Sequence, residues 1–280
     1  MRISNRDKVF SLTSWFWVLS LVAAPLFYLF IVSFMSRGTY GGIVWSFTTI
    51  NYTKILDSLY FMSLLRSLGL AFFNTLACIL LGYPLALFLA FKAGRFKSFL
   101  FFLLILPFWT NFLIRTYAWV VLLSDNGWIN KTIHMLGYPD TNFDMLFTPQ
   151  AVAIGMVYNY LPYMVMSLFV SLEKLDLKLM DAASDLGASP IRTFRKIILP
   201  LSLPGLAAGS IMVFIPSLGE YVIPDVLGGG RTVYIGNMLG SQFLTLRNWP
   251  LGSALSIVLV GLIFSVLFLF EKKHGDEVYL

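Results

Sequence analysis

Of 280 residues, 58% are hydrophobic and only 12% are charged. That is about half the charged share of a soluble domain, which excludes a water-soluble globular protein and leaves a polytopic membrane protein. The formal net charge of +6 does not point to nucleic acid, because the basic residues fall in clusters between apolar stretches, as the positive-inside rule requires.

Arg2, Arg6 and Lys8 precede a stretch without charge that runs to Arg37. A first span is predicted at about 15–35. Ala23-Ala24 resembles a cleavage region, but Pro25 follows and the apolar run continues beyond a signal-peptide core, so the helix is expected to be retained. Residues 37–62 are expected to form a polar loop carrying Trp45 and Tyr52. No charge separates Arg66 from Lys92, giving a second span at 63–91 that stops at Lys92, Arg95 and Lys97. The single cysteine, Cys78, lies inside this run as a small packed residue with no partner for a disulfide or a metal.

The third span, 98–123, passes Pro107 and Arg115. A second polar loop, 125–148, carries Asp125, Lys131, His134, Asp140 and Asp144. The fourth span, 149–172, contains Pro162, and a polar segment at 173–198 follows it. The fifth, 199–224, carries Pro200, Pro204 and Pro216. After Gly228-Gly229-Gly230 the sixth, 250–270, stops at Glu271, Lys272 and Lys273. Each is long enough for a hydrocarbon layer of roughly 30 Å at about 1.5 Å per residue. The two histidines, His134 and His274, have no ligand partner at metal spacing, so no metal site is expected.

With the N-terminus inside, the inner segments hold Arg2, Arg6, Lys8, Lys92, Arg95, Lys97, Lys174, Lys178, Arg192, Arg195, Lys196, Lys272 and Lys273, 13 of the 20 basic residues. Every inner segment then has a basic cluster and no outer one does. The prediction is six spans with both termini cytoplasmic, in one membrane domain over 1–280 with no internal repeat, and with 173–198 in the cytosol.

Within 173–198, Leu175, Leu179, Ala182, Ala183 and Leu186 recur at helical spacing as an apolar, small-residue stripe, with Asp181 and Asp185 on the polar side. Gly187 suits a left-handed helix end, and Ser189-Pro190 suits a restart, with Ser as N-cap and Pro in the first turn. The spacing predicts helix, Gly turn, helix. An amphipathic helix lying on the membrane face is the plainer alternative, but a small-residue stripe is better suited to close docking in a protein cleft.

The order Asp181-Ala182-Ala183, three residues, Gly187, nine residues, Ile197, one residue, Leu199-Pro200 resembles the EAA motif of the membrane subunits of binding-protein-dependent ABC importers. The one departure is Asp181, where that family usually has Glu, so the carboxylate is kept on a shorter arm. Further stretches are similar to spermidine/putrescine importer permeases. They are Tyr83-Pro84, Leu106-Pro107-Phe108-Trp109-Thr110-Asn111 with Leu113-Ile114-Arg115-Thr116-Tyr117, and Leu172-Glu173-Lys174-Leu175-Asp176. Ile235-Gly236-Asn237, Gln242-Phe243 and Trp249-Pro250 complete the set.

The resemblance implies an all-α integral membrane protein with six transmembrane helices, the type I ABC importer permease fold and cytosolic coupling helices. Asp181, Ala182, Ala183, Asp185, Leu186, Gly187, Ala188, Ser189 and Phe194 would dock into an ATPase. The implied partners are a second permease subunit, an ATP-binding cassette ATPase dimer that binds ATP and Mg, an extracytoplasmic polyamine-binding protein and the lipid bilayer of the cell membrane. No cofactor is expected in this chain and no enzyme activity, since it carries no nucleotide-binding signature and no catalytic constellation.

A polyamine route needs carboxylates and aromatic faces without a deep trap. Glu220 near the end of the fifth span is the leading candidate, with Tyr221 beside it and Asp225 extending an acidic strip. Trp109, Asn111 and Tyr117 on the third span could add cation–π and amide contacts. Each has a plainer alternative. Glu220 could pair with Arg115 or cap the loop, and Trp109 and Tyr117 could belong to an interfacial aromatic belt. Rival cargoes are ferric iron, thiosulfate or another small solute; an anion would call for basic residues at mid-span, where Arg115 stands alone. A stand-alone secondary transporter would call for paired broken helices and no docking loop.

Overall fold

The computed structural model describes residues 5–138 and 144–278; Asp140, expected in the second loop, lies outside them. The chain divides into two compact units, one from residues 1–62 and 238–275 and the other mainly from residues 63–237.

In the first unit, α1 (Asn5–Ser33) carries the apolar stretch Trp15–Ser33, long enough to cross a bilayer. The residues expected to be a polar loop are built instead as an antiparallel hairpin of β1 (Met35–Arg37) and β2 (Ile43–Phe47), then α2 (Ile50–Ile55). The cause is local. Ile43-Val44-Trp45 favours a pleated strand, and Gly41 and Gly42, with φ of 91° and 83°, supply the positive-φ turn a hairpin needs. Asn51 ties this piece to the end of α1 by donating to the carbonyls of Ser33 at 2.9 Å and Met35 at 2.8 Å.

Next comes α3 (Ser58–Leu87), which starts five residues before the predicted span and runs into a wide π-helical turn, Phe88–Lys92. The predicted third span is not one helix. α4 (Lys97–Ile105) and α5 (Phe112–Leu123) belong to a pair bent by 95°. Pro107 sits in a tight turn, Leu106–Trp109, and Thr110 is extended at ψ 149°. Asn111 then caps a new helix, its side-chain oxygen accepting from the Leu113 amide at 2.8 Å. Among the described residues five helices are long and apolar enough to span a membrane, and six if the bent pair counts as one.

Then follow α6 (Trp128–Met135), α7 (Pro149–Glu173), α8 (Leu177–Asp185), α9 (Pro190–Thr193) and α10 (Leu199–Gly219). α10 stops five residues short of the predicted end, at Glu220, and α11 (Val222–Gly228) restarts there. Finally α12 (Ile235–Gly240) leads through a π turn, Ser241–Thr245, to α13 (Trp249–Val278).

The second unit's core lies along α7, where Met156, Met164, Val165, Leu168 and Leu172 are fully buried among Val213 of α10 and Ile223 and Leu227 of α11. Lipid tails are as apolar as these side chains, so association rests on close packing and interhelical hydrogen bonds. Gly205 shows both. A Cβ there would collide with the Ser171 side chain and stand 2.8 Å from the Ser167 carbonyl, and Ser167 Oγ donates to the Gly205 carbonyl at 2.8 Å. Asn74 on α3 donates to Ser217 Oγ on α10 at 2.8 Å, and Tyr83 pairs with Ser202. Each such bond contributes about 0.6–2 kcal/mol in a membrane.

Candidate functional site

The 173–198 segment folds as helix, Gly turn, helix. Asp176 caps α8, its carboxylate accepting from the Lys178 amide at 3.0 Å. At the other end Gly187 takes φ 78°. Its amide donates to the Ser184 carbonyl and the Ala188 amide to the Ala183 carbonyl, both at 2.9 Å. This is the full Schellman ending, which satisfies carbonyls the helix leaves open. Ser189 Oγ then accepts from the Arg192 amide at 3.4 Å, with Pro190 first in α9. A π turn, Phe194–Ile198, leads into α10, and Phe194 packs edge-on against Tyr83, 5.5 Å between centroids.

The apolar stripe expected on α8 splits in two. Ala183 is buried and Leu175 packs on the core, while Ala182, Leu179 and Leu186 face outward with Asp181 and Asp185. The presented surface is therefore an acidic, small-residue face with Leu186, 88% exposed, and Ile191, 72% exposed. Ser189 and Gly187 are exposed beside them, and Ala188 and Phe194 are half-buried.

The second site lies where α5, α7 and α10 meet. Glu220 is half-buried at the break between α10 and α11. Its Oε1 accepts from the Val222 amide at 3.0 Å and the Ile223 amide at 3.4 Å, capping α11, and its Oε2 accepts from the Tyr160 hydroxyl at 2.7 Å. So Glu220 does cap the following helix, but its side-chain partner is Tyr160, not Arg115. Tyr160 opens on a cavity of about 380 Å³ lined also by Phe112, Arg115, Asn159, Tyr163 and Pro216, within the size range of small-molecule sites.

Two buried atoms of residues that line that cavity are unmet. Asn159 is 3% exposed. Its amide nitrogen donates to the Gly155 carbonyl at 2.9 Å, which leaves Oδ1 without a donor. Arg115 Nε is likewise buried without an acceptor. Its guanidinium lies over the rings of Phe108 and Phe112, 5.5 and 5.9 Å from their centroids. A buried polar atom left unpaired costs about 1–3 kcal/mol, so these are the two atoms among the lining residues most in need of a polar partner.

The remaining predicted route residues are not gathered here. Trp109 is exposed and packs edge-on against Phe102, and Asn111 spends its oxygen on the α5 cap. Tyr117 and Tyr221 are exposed. Asp225 is exposed and accepts from the Asn237 side chain at 3.5 Å. The residues that sequence reasoning missed are Asn159, Tyr160 and Tyr163. The available signal was Tyr158-Asn159-Tyr160 with Tyr163, an aromatic and amide cluster inside an otherwise apolar span, which a lipid-facing helix has no reason to carry.

The sequence profile of the family described as binding-protein-dependent transport system inner membrane component matches residues 82–272. The chain is 45% identical, over 94% of its length and 97% of the relative, to the spermidine/putrescine transport system permease protein PotB of Escherichia coli (strain K12). It is 37% identical, over 92% of its length and 90% of the relative, to the Haemophilus influenzae protein of the same name. Among solved structures, a chain of a bacterial ABC transporter that imports the acidic polysaccharide alginate matches with a TM-score of 0.73 at 14% identity, covering 96% of this chain and 95% of that one. A chain of the methionine ABC transporter MetNI matches with a TM-score of 0.58 at 18% identity, covering 79% of this chain and 99% of that one.

Proposed function

Because the chain belongs to the binding-protein-dependent transport system inner membrane components, the multi-pass permease subunits of ABC importers, we propose that its cargo is a polyamine, spermidine or putrescine. The observation that carries the cargo is the 45% identity, over 94% of this chain, with a spermidine/putrescine permease. The aromatic lining by Tyr160 and Tyr163, with the Glu220 carboxylate one hydrogen bond behind Tyr160, supports it, since an alkylammonium chain needs acceptors and ring faces.

In this reading both termini lie in the cytoplasm, as the basic clusters require. The 173–198 segment docks into a cytosolic ATPase that binds ATP and Mg, while a second permease supplies the other half of the path. A binding protein delivers cargo from outside. Asp181, Ala182, Asp185, Leu186 and Gly187 form the docking face. Of the residues expected to contact cargo, Asn111 also caps α5 with its side-chain oxygen and the exposed Trp109 also packs edge-on against Phe102.

Arg115 on the cavity favours a second reading, an anionic cargo such as thiosulfate. One assay separates the two. The complex of this chain with its partner permease, ATPase and binding protein is placed in liposomes, and ATP-driven uptake of labelled spermidine, putrescine and thiosulfate is measured. Uptake of a polyamine alone is expected; uptake of thiosulfate with no polyamine overturns the cargo.

A further inference from the structure

We propose that the cavity between α5, α7 and α10 is a seat for an alkylammonium group, held in this structure by the chain's own Arg115, a tethered cation that the cargo must displace. The inference rests on the polyamine reading and says how the site holds and releases such a cargo.

The aromatic seat comes first. The guanidinium of Arg115 lies over Phe108 and Phe112 at 5.5 and 5.9 Å. Tyr163 closes on Phe108 edge-on at 4.9 Å between centroids, and Tyr160 lies 6.1 Å from Tyr163. The faces of Phe108 and Phe112 suit a cation, and here a cation of the protein lies over both. The tether is a weak one. No carboxylate lies within ion-pair distance of Arg115 among the described residues, and its Nε has no acceptor. A guanidinium locked to a carboxylate would stay put; one held by ring faces alone can be exchanged for another cation.

The acceptors come next. A carbonyl can only accept, so the bond to Gly155 fixes which end of the Asn159 amide faces away, and that end is the oxygen. Tyr160, also in the lining, gives its proton to Glu220 at 2.7 Å, so its phenol oxygen can take part toward a guest only as an acceptor. An ammonium entering the cavity thus meets two neutral acceptors, with the carboxylate one hydrogen bond behind. That arrangement attracts a cation without trapping it. The same features oppose an anion, because the phenol proton is committed and the nearest carboxylate repels.

The test uses the full complex of this chain, its partner permease and the ATPases in lipid nanodiscs, without binding protein. Spermidine is titrated by calorimetry. Replacing Arg115 by Gln vacates the seat and is expected to tighten spermidine binding about tenfold, the scale of one partly desolvated cation–π contact. Adding Asn159→Leu is expected to abolish the gain. Arg115→Met, which keeps the apolar stem, replaces Gln should that variant fail to assemble with the ATPase. If an assembled Arg115 variant binds spermidine no more tightly than the parent, or loses binding of thiosulfate that the parent shows, the proposal is overturned. Spermidine uptake by the parent complex separates the two levels. Uptake present without a gain in the variant sinks the seat and leaves the cargo standing, whereas no polyamine uptake at all removes both.

Discussion

The 173–198 segment and the α5–α7–α10 cavity solve opposite problems. The segment is built from neighbours in sequence. Asp176, Gly187 and Ser189 each settle one helix end by a bond spanning two to five residues, and most of its side chains are exposed. The cavity is built from residues far apart in the chain. Glu220 meets Tyr160 across 60 positions, and two residues of the lining keep a buried polar atom unmet. Two helix caps also serve the cavity: Asn111 starts the helix that carries Phe112 and Arg115, and Glu220 caps α11 while meeting Tyr160 with its other oxygen. The difference separates the proposed docking segment from the proposed cargo seat, and it makes the two regions independently breakable.

The largest break is expected at Gly187. A Cβ added there meets nothing within 4 Å, so any damage comes from the backbone, held at φ 78°. Gly187→Val places a β-branched residue where only Gly is at ease, at a cost of about 1–3 kcal/mol confined to the Schellman turn. The ATPase should no longer co-purify with the permease and ATP-driven uptake should be lost, while spermidine binding at the cavity stays as it was. Gly187→Asn, which tolerates the left-handed region, should restore most of both. Loss of cavity binding in the Val variant would show that the two regions are not separate.

How much of each was legible in the sequence follows from this contrast. A cap or a Gly turn is chosen by the residues that form it, so Ser189-Pro190 and Gly187 announce themselves. Helix length and polarity are likewise local, which is why α7 begins at the predicted residue. What failed was long-range. The third span looked continuous because Phe108, Trp109 and Leu113 are apolar enough, yet Pro107 and the Asn111 cap bend the pair by 95°. That bend sets Arg115 over Phe108 and Phe112. The stripe on α8 looked like one surface because periodicity does not say which side the rest of the chain will cover, and Leu175 and Ala183 were covered. Glu220 was legible as a carboxylate that needs a partner, but its choice of Tyr160 over Arg115 is a property of the α7–α10 crossing that Gly205 permits.

A smaller effect, opposite in kind, is expected at Glu220. Glu220→Gln keeps an oxygen for either Tyr160 or the α11 amides but not a charge for both. Uptake should fall about tenfold, the difference between a charge-assisted and a neutral hydrogen bond, with ATPase co-purification unchanged. Tyr160→Phe added to it should lower uptake further, because it removes the phenol acceptor of the seat as well as the bond to Glu220. Uptake that survives Glu220→Gln intact would remove the carboxylate from the route.

The smallest effect is expected at Ser189. Its bond to the Arg192 amide is long, at 3.4 Å, and exposed, so Ser189→Ala should cost near the low end of the roughly 0.5–2 kcal/mol a cap contributes. Pro190 still presets the first turn of α9, and the Gly187 ending does not use the hydroxyl. Uptake and ATPase binding should therefore stay close to those of the parent, with only a small drop in the temperature at which the ATPase dissociates. A loss as large as that of Gly187→Val would mean that the hydroxyl serves the partner and not the cap. The docking face would then centre on Ser189 and Ile191 at the start of α9, and Leu186 with the two aspartates of α8 would become its rim.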